Sequence, residues 1–316
     1  MKFKYQQLLG IPFLSTGIAL LCMLSNQVIA VTKPSTSISN RTTQIPQKML
    51  LDLSKTPVSL PFTGTGVLAK QNTRIGLSEY FPDPMGFSAT ESVIGPDGRK
   101  KIANTTSYPN RAIAFLTVKF PSYTASCTGW FIGPRTVATA GHCVYDVSTR
   151  KWATTVTVYP GRNGSYSPFG YTTSKRLFSM TGWTRDHNSN FDLGAIQTNN
   201  TLGNSVGWFG YSWQQSNSYP GNFQISGYPG DKANATLWGM GGNITHANAY
   251  HLWHQIDTYG GESGAPLYHL EKGTCCYVVG AHTYGVSLPP YYGNSATRLG
   301  KDFYNNLNAW KLAVYP

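Results

Sequence analysis

From Ser92 onward the chain is a succession of short apolar or alternating runs, at residues 112–120, 130–132, 154–159, 193–196, 223–227 and 277–281. Turn clusters such as Arg162-Asn163-Gly164 and Tyr228-Pro229-Gly230-Asp231 separate them. Short runs punctuated by glycine make strands joined by tight turns, so the pattern predicts an all-β sandwich or barrel rather than a parallel α/β sheet. The 33 Gly and 19 Pro agree with turn-rich β architecture, and 316 residues at 41% hydrophobic content suffice for one or two packed domains. Only residues 301–312 read as a helix. There Phe303, Leu307 and Trp310 are spaced four and three apart, on one face that could dock against strands.

The first 91 residues read differently. Lys2 and Lys4 precede a mostly apolar run, 8–24, interrupted by Pro12, Ser15 and Thr16, and Val28-Ile29-Ala30 supplies a small-residue cleavage pattern. Residues 1–30 are therefore expected to be a secretory signal, the run being short and broken for a spanning helix. Cys22 follows Leu21, a residue bulkier than lipoprotein cleavage sites usually allow. Residues 31–91, rich in Ser, Thr, Pro, Gln and Gly, are expected to be a propeptide that is removed, with an ordered N-terminal extension as the alternative. That leaves 92–316 as the functional domain, expected to be an extracellular monomer without membrane contact. The formal charge of +12 is spread thinly, with Arg99-Lys100-Lys101 the only triplet, which suits a solvated basic surface better than nucleic-acid binding. The same positive field would favour encounter with acidic substrates.

Within the domain, Gly260-Gly261-Glu262-Ser263-Gly264-Ala265-Pro266 reads as a tight turn isolating one serine. Ser263 is the candidate nucleophile, and the flanking glycines let the backbone N–H groups of Gly261 and Ser263 converge as an oxyanion hole. Thr139-Ala140-Gly141-His142-Cys143 offers His142 as general base, in a string resembling the histidine motif of chymotrypsin-like proteases. Asp192 opens the apolar run after Asn190-Phe191 and, as a carboxylate entering a core, needs a polar partner. The order His, Asp, Ser matches chymotrypsin-like enzymes, whereas nucleophile-elbow hydrolases run Ser, Asp, His and subtilisin-like ones Asp, His, Ser. Asp186, in a polar loop, and Asp146, close behind His142 in sequence, are weaker candidates for the carboxylate.

Cys127 and Cys143 are expected to form a disulfide that fixes neighbouring His142, closing a loop worth about 3 kcal/mol in the chain-entropy model. The adjacent Cys275 and Cys276 leave a strained vicinal bond, free thiols and intermolecular pairing all open. His246, His251 and His254 lack the glutamate of a zinc-protease pattern, so neither metal nor cofactor is expected.

Dispersed strings then resemble a narrower group. Ser92-Val93-Ile94-Gly95, Asn104-Thr105-Thr106, Ser126-Cys127-Thr128-Gly129-Trp130, Ser226-Gly227-Tyr228-Pro229-Gly230-Asp231-Lys232, Asp257-Thr258-Tyr259-Gly260-Gly261 and Ala281-His282-Thr283 look like the bacterial secreted glutamyl endopeptidases, over residues 92–310. The resemblance implies two packed six-stranded-type β-barrels with a C-terminal helix, and cleavage of protein or peptide substrates after glutamate, less readily after aspartate. It also implies that His282 and Thr258 contact the substrate carboxylate. Glu91 directly precedes Ser92, and residues 31–91 hold only one other glutamate, Glu79, so an enzyme of this specificity could release itself. Two departures stand out: Cys275 and Cys276 are adjacent, and charged Glu262 occupies a position usually filled by a neutral amide. Glu262 either pairs with the new amine of Ser92 or is solvated or Arg-paired. The rival readings are the same fold with another preference, an inactive homologue that binds proteins, and a basic module for anionic polymers.

Overall fold

The computed structural model describes residues 33–41, 58–69, 73–74, 92–271, 274–287 and 291–313. Residues 1–30 and Glu91 lie outside them. Before Ser92 three short strands are described: β1 (Ser37–Ser39), β2 (Val58–Ser59) and β3 (Thr73–Arg74). The next strands are β4 (Lys100–Lys101), β5 (Ile113–Lys119), β6 (Thr124–Phe131), β7 (Thr136–Thr139), β8 (Tyr145–Asp146) and β9 (Lys151–Trp152). Then come β10 (Thr155–Pro160), β11 (Tyr166–Ser167), β12 (Thr172–Met180) and β13 (Gly194–Thr198). The second half contributes β14 (Gly210–Ser212), β15 (Phe223–Gly227), β16 (Trp238–Gly242), β17 (Ile244–Ala247) and β18 (His251–His254). It ends with β19 (Pro266–Glu271), β20 (Thr274–Ser287) and β21 (Gly293–Arg298), followed by a helix at Lys301–Leu312.

Strands β12-β10-β5-β6-β7-β13 form the first sheet, and β12 also pairs with β13 (Leu177 opposite Ile196, Phe178 opposite Ala195), which closes a six-stranded barrel. Closure follows from the side-chain pattern. Along β10 buried and half-buried residues alternate, so Val156 and Val158 point inward with Leu116, Val118, Val137 and Ile196. The second sheet, β17-β18-β21-β20-β19-β15-β16-β4, curls into a half-barrel around Phe223, Ile225, Leu252, Ile256 and Leu267.

Strands β5 and β6 are buried on both faces. Their outward residues Ile113, Phe115 and Trp130 belong to a third apolar cluster that includes Phe209, Tyr211, Tyr228, Tyr268 and Val278. This cluster is the seam between the two sheets. The C-terminal helix covers one end of it with Phe303, Leu307 and Trp310, the face predicted from their spacing. Asp302 in its first turn and Lys311 in its last complement the helix dipole.

The described parts of the 31–91 segment lie along outer edges. Strand β1 extends β12, and Trp310 Nε1 donates to Ser37 Oγ at 2.5 Å. Strand β2 pairs with β14, Phe62 bridges to Trp208, and the Arg111 guanidinium donates to Thr63 O at 2.5 Å. Strand β3 pairs with β11.

Candidate active site

Beyond Thr139 the chain leaves β7 through an extended Ala140 into a single 3-10 turn, Gly141–Cys143, which presents His142. The expected Cys127–Cys143 disulfide is formed and ties this turn back to β6. Gly141 is required here, because a Cβ would lie 2.8 Å from Asp192 Oδ1 and 3.0 Å from the Trp183 ring. Asp192 follows a second 3-10 turn, Ser189–Phe191, capped by the Asn188 side chain. Pairing of β13 with β7, Gly194 opposite Thr139, brings the two turns together.

The Asp192 side chain is fully buried, and its charge is met by hydrogen-bond donors. Oδ1 accepts the main-chain N–H of His142 at 2.8 Å, while Oδ2 is 2.8 Å from His142 Nδ1 and accepts the Tyr284 hydroxyl at 2.6 Å. A carboxylate is acceptor-only, so the ring must carry its proton on Nδ1 and leave Nε2 as the basic nitrogen. Burial and the negative charge of Asp192 push the Tyr284 phenol well above its ordinary value, so it remains a donor across the alkaline range. Asp186 instead pairs with Arg185 at the surface, and Asp146 accepts from Ser148 and Thr149 in its own turn.

Ser263 occupies a turn laced to both halves. Glu262 N donates to Tyr259 O at 3.0 Å and Ala265 N to Glu262 O at 2.8 Å. Thr128 of β6 donates its N–H to Ser263 O and its hydroxyl to Gly261 O, both at 2.9 Å. Gly264 N donates to His282 O at 2.7 Å, and His282 N to Ala265 O at 2.8 Å. Gly261 and Gly264 have φ of +102° and +85°, conformations costly for side chains, and a Cβ on Gly264 would lie 2.7 Å from Ala140 N. The turn therefore packs directly on the chain that leads to His142.

His282 is fully buried, its ring 5.5 Å from that of His254. Burial lowers His254 to about 3 and His282 well below the usual histidine value, the latter also because His254 and His142 lie close by. Both rings are neutral at pH 7. Thr258 Oγ1 is buried without a hydrogen-bond partner among the described residues. Its main-chain N–H donates to Ser92 O at 3.3 Å, while Ser92 N donates to Asn294 Oδ1 at 3.1 Å. Asp257 accepts from Ile94 N at 2.8 Å and Gly98 N at 2.7 Å, so the stretch beginning at Ser92 runs alongside Thr258.

In the uncut chain Glu262 Oε2 lies 3.5 Å from Arg99 Nη1 and accepts Tyr259 N–H at 2.9 Å, while the Ser92 N–H, here a peptide amide, donates to Asn294. Burial raises its carboxyl to about 8, against the pull of Arg99. Cys276 is disulfide-bonded, and the side chain of Cys275 lies outside the described residues. Arg99 and Tyr284 are residues near the site that the sequence reading missed, and His254, considered there only as a metal ligand, packs against His282 instead. Tyr284 carried a signal, since it lies two residues from His282 on the same strand. Arg99, seen only as part of a basic triplet, carried none.

The trypsin family profile matches residues 102–299. The chain belongs to the trypsin family. Like other trypsin-family members it is a serine endopeptidase, acting on proteins or peptides. This trypsin-family chain is 44% identical to the "Glutamyl endopeptidase" of Bacillus licheniformis, over 80% of its own length and 78% of that protein. It is 36% identical to the "Extracellular metalloprotease" of Bacillus subtilis, over 98% of its length and 97% of that protein. Among solved structures, a Glu endopeptidase in complex with MPD superposes with a TM-score of 0.61 at 32% identity, covering 69% of this chain and 99% of that one.

Proposed function

We propose that this trypsin-family protein is a secreted endopeptidase that cleaves after glutamate, less readily after aspartate, with Ser263, His142 and Asp192 as its triad. The single observation that carries the reading is the pair of contacts from Asp192 to the main chain and ring of His142, beside a Ser263 turn laced to β6 and to the strand bearing His282. His142 Nε2 takes the proton from Ser263 Oγ as that oxygen attacks the scissile carbonyl, forming the tetrahedral adduct. Its oxyanion lies against the N–H groups of Gly261 and Ser263. His142 then gives the proton to the leaving amine as the C–N bond breaks, and water repeats the cycle to release the acid. Asp192 remains ionised throughout and stabilises the imidazolium.

Acid recognition is supported by His282 and Thr258, two buried groups able to hydrogen-bond a carboxylate, and by the likeness to the Bacillus licheniformis enzyme. A neutral His282 brings no charge. Cutting the Glu91–Ser92 bond would turn the Ser92 amide into an ammonium beside Thr258, which supplies one. On this reading residues 1–30 are the signal, 31–91 the propeptide, and the released domain acts as a monomer without nucleic acid, membrane or cofactor. A metal-dependent reading, suggested by the name of the Bacillus subtilis relative, finds one candidate ligand cluster among the described residues, Cys127, His142 and Cys143. Both sulfurs there are spent on the disulfide, so this donor set does not fit a metal.

Chromogenic peptides ending in glutamate, glutamine and phenylalanine, tested beside a Ser263→Ala control, decide the matter. Turnover of the glutamate peptide, lost in the control and transferred toward glutamine by His282→Ala, is expected. A preference indifferent to His282 would remove the pocket assignment. A Ser263→Ala precursor still cut at Glu91–Ser92 in pure form would exclude self-processing.

A further inference from the structure

The acid directly preceding the nucleophile is held by a residue more than 160 positions away in the chain. Glu262 is 1% exposed, and its carboxyl oxygen Oε2 closes the turn that ends in Ser263 by accepting the N–H of Tyr259. Arg99, whose side chain is fully buried, stands behind it. The guanidinium is itself fixed: Nε and Nη2 donate to Asp97 at 3.0 Å each, and Nη1 and Nη2 to Asp231 at 3.0 and 2.5 Å. Asp97 and Asp231 are partly exposed and share Lys232, so of the three acids around Arg99 only Glu262 depends on it for burial. The turn has a second brace, since Gly230, next to Asp231, donates its N–H to Gly260 O at 2.7 Å.

We propose that Arg99 is a positioning residue for acyl transfer: through Glu262 it holds the 259–263 turn in the shape that converges the N–H groups of Gly261 and Ser263. The inference rests on the reading of Ser263 as nucleophile. It has a consequence for the precursor. Where a buried acid before the nucleophile waits for a newly cut amine, the oxyanion site forms only after cleavage. Here the cation is a side chain present from synthesis, and arginine does not lose its proton in the physiological range. The precursor therefore already carries the acyl-transfer turn. Release at Ser92 changes the substrate pocket, and leaves Ser263 as reactive as before.

Removing Arg99 takes away the side-chain donor facing Glu262 Oε2, so the carboxyl is no longer held from behind and swings toward water, opening the turn. An amide at position 262 accepts Tyr259 N–H without needing a cation. The test is therefore a cycle of Arg99→Met, Glu262→Gln and the double variant in mature protein, with kcat and KM measured separately on a glutamyl peptide. Arg99→Met is expected to lower kcat about tenfold or more with KM moved less than about threefold, the signature of a lost transition-state contact. Adding Glu262→Gln should restore most of it. A double variant as slow as Arg99→Met alone, or an Arg99→Met enzyme of normal kcat, overturns the proposal. If Arg99→Met does not fold, the double variant compared with Glu262→Gln carries the test: kcat values within about threefold support it, and a tenfold gap overturns it.

For the precursor, a Glu91→Ala chain is treated with a serine-directed fluorophosphonate, whose reaction needs the oxyanion site but not the acidic pocket. Labelling within about threefold of the mature rate is expected, and a hundredfold deficit would show that the turn awaits cleavage. The mature enzyme and its Ser263→Ala variant separate the two failures. A mature enzyme that is not labelled at Ser263 sinks the functional reading itself, whereas normal mature labelling with an inert precursor sinks only this inference.

Discussion

Asp192 and Glu262 are both buried acids at the same site, yet their surroundings are opposite. Asp192 faces neutral donors, namely the His142 main chain, the His142 ring and the Tyr284 hydroxyl. Glu262 faces a permanent cation, Arg99, and a single N–H. Neutral donors make burial of the Asp192 charge tolerable without cancelling it, so the charge is still available when His142 becomes positive during the reaction. Burial raises the Glu262 carboxyl to about 8 against the pull of Arg99, so at rest it carries little charge and its contacts serve to hold the turn. The first arrangement suits a group that must respond to a proton in flight, and the second suits one that must hold a loop still.

Substitutions break this comparison to different degrees. Asp192→Asn should have the largest effect, a loss of about 10⁴-fold in kcat, because an amide cannot accept from both the N–H and the ring of His142. A loss under tenfold in steady-state turnover would mean that His142 is not oriented from this side. Glu262→Ala comes next. It removes the acceptor of Tyr259 N–H and one partner of Arg99, and should lower kcat about 10- to 100-fold while thermal unfolding remains cooperative.

Tyr284→Phe sharpens the contrast. Without the hydroxyl the Asp192 charge is less well stabilised and draws a proton onto His142 more strongly. The His142 pKa therefore rises, and the acidic limb of the kcat/KM profile moves to higher pH by a few tenths of a unit, with a loss of about two- to fivefold at neutral pH. A limb displaced downward would contradict that sign. Glu262→Gln should be the mildest, within about threefold of the parent in kcat, since its amide oxygen still meets Tyr259.

The outlying parts of the fold were also legible to different degrees. The run at 154–159 became β10 because its inward positions are β-branched valines, and the 301–312 helix formed because its apolar spacing matches a seam waiting to be covered. Truncating Trp310 to Ala is expected to cost about 3–5 kcal/mol in unfolding free energy, since the ring fills that seam against Phe178. By contrast β12, whose sequence Thr172-Thr173-Ser174-Lys175-Arg176 reads as polar, was not recognised as a strand. Its place is set by partners on both sides, β10 and β13, and no local pattern announces that.

By itself the sequence determined what is chemically local: an all-β chain, a histidine in its motif beside a cysteine, a serine in a glycine turn, and a carboxylate at the head of a buried strand. Each follows from backbone freedom, side-chain chemistry or periodicity within a few residues. Only the tertiary structure decided which groups stabilise the buried charges, because those partners come from distant strands. Tyr284 reaches Asp192 across 92 residues and Arg99 reaches Glu262 across 163. A buried ion takes whichever donor the folded chain brings within hydrogen-bond range, and that choice is made by the packing of two sheets.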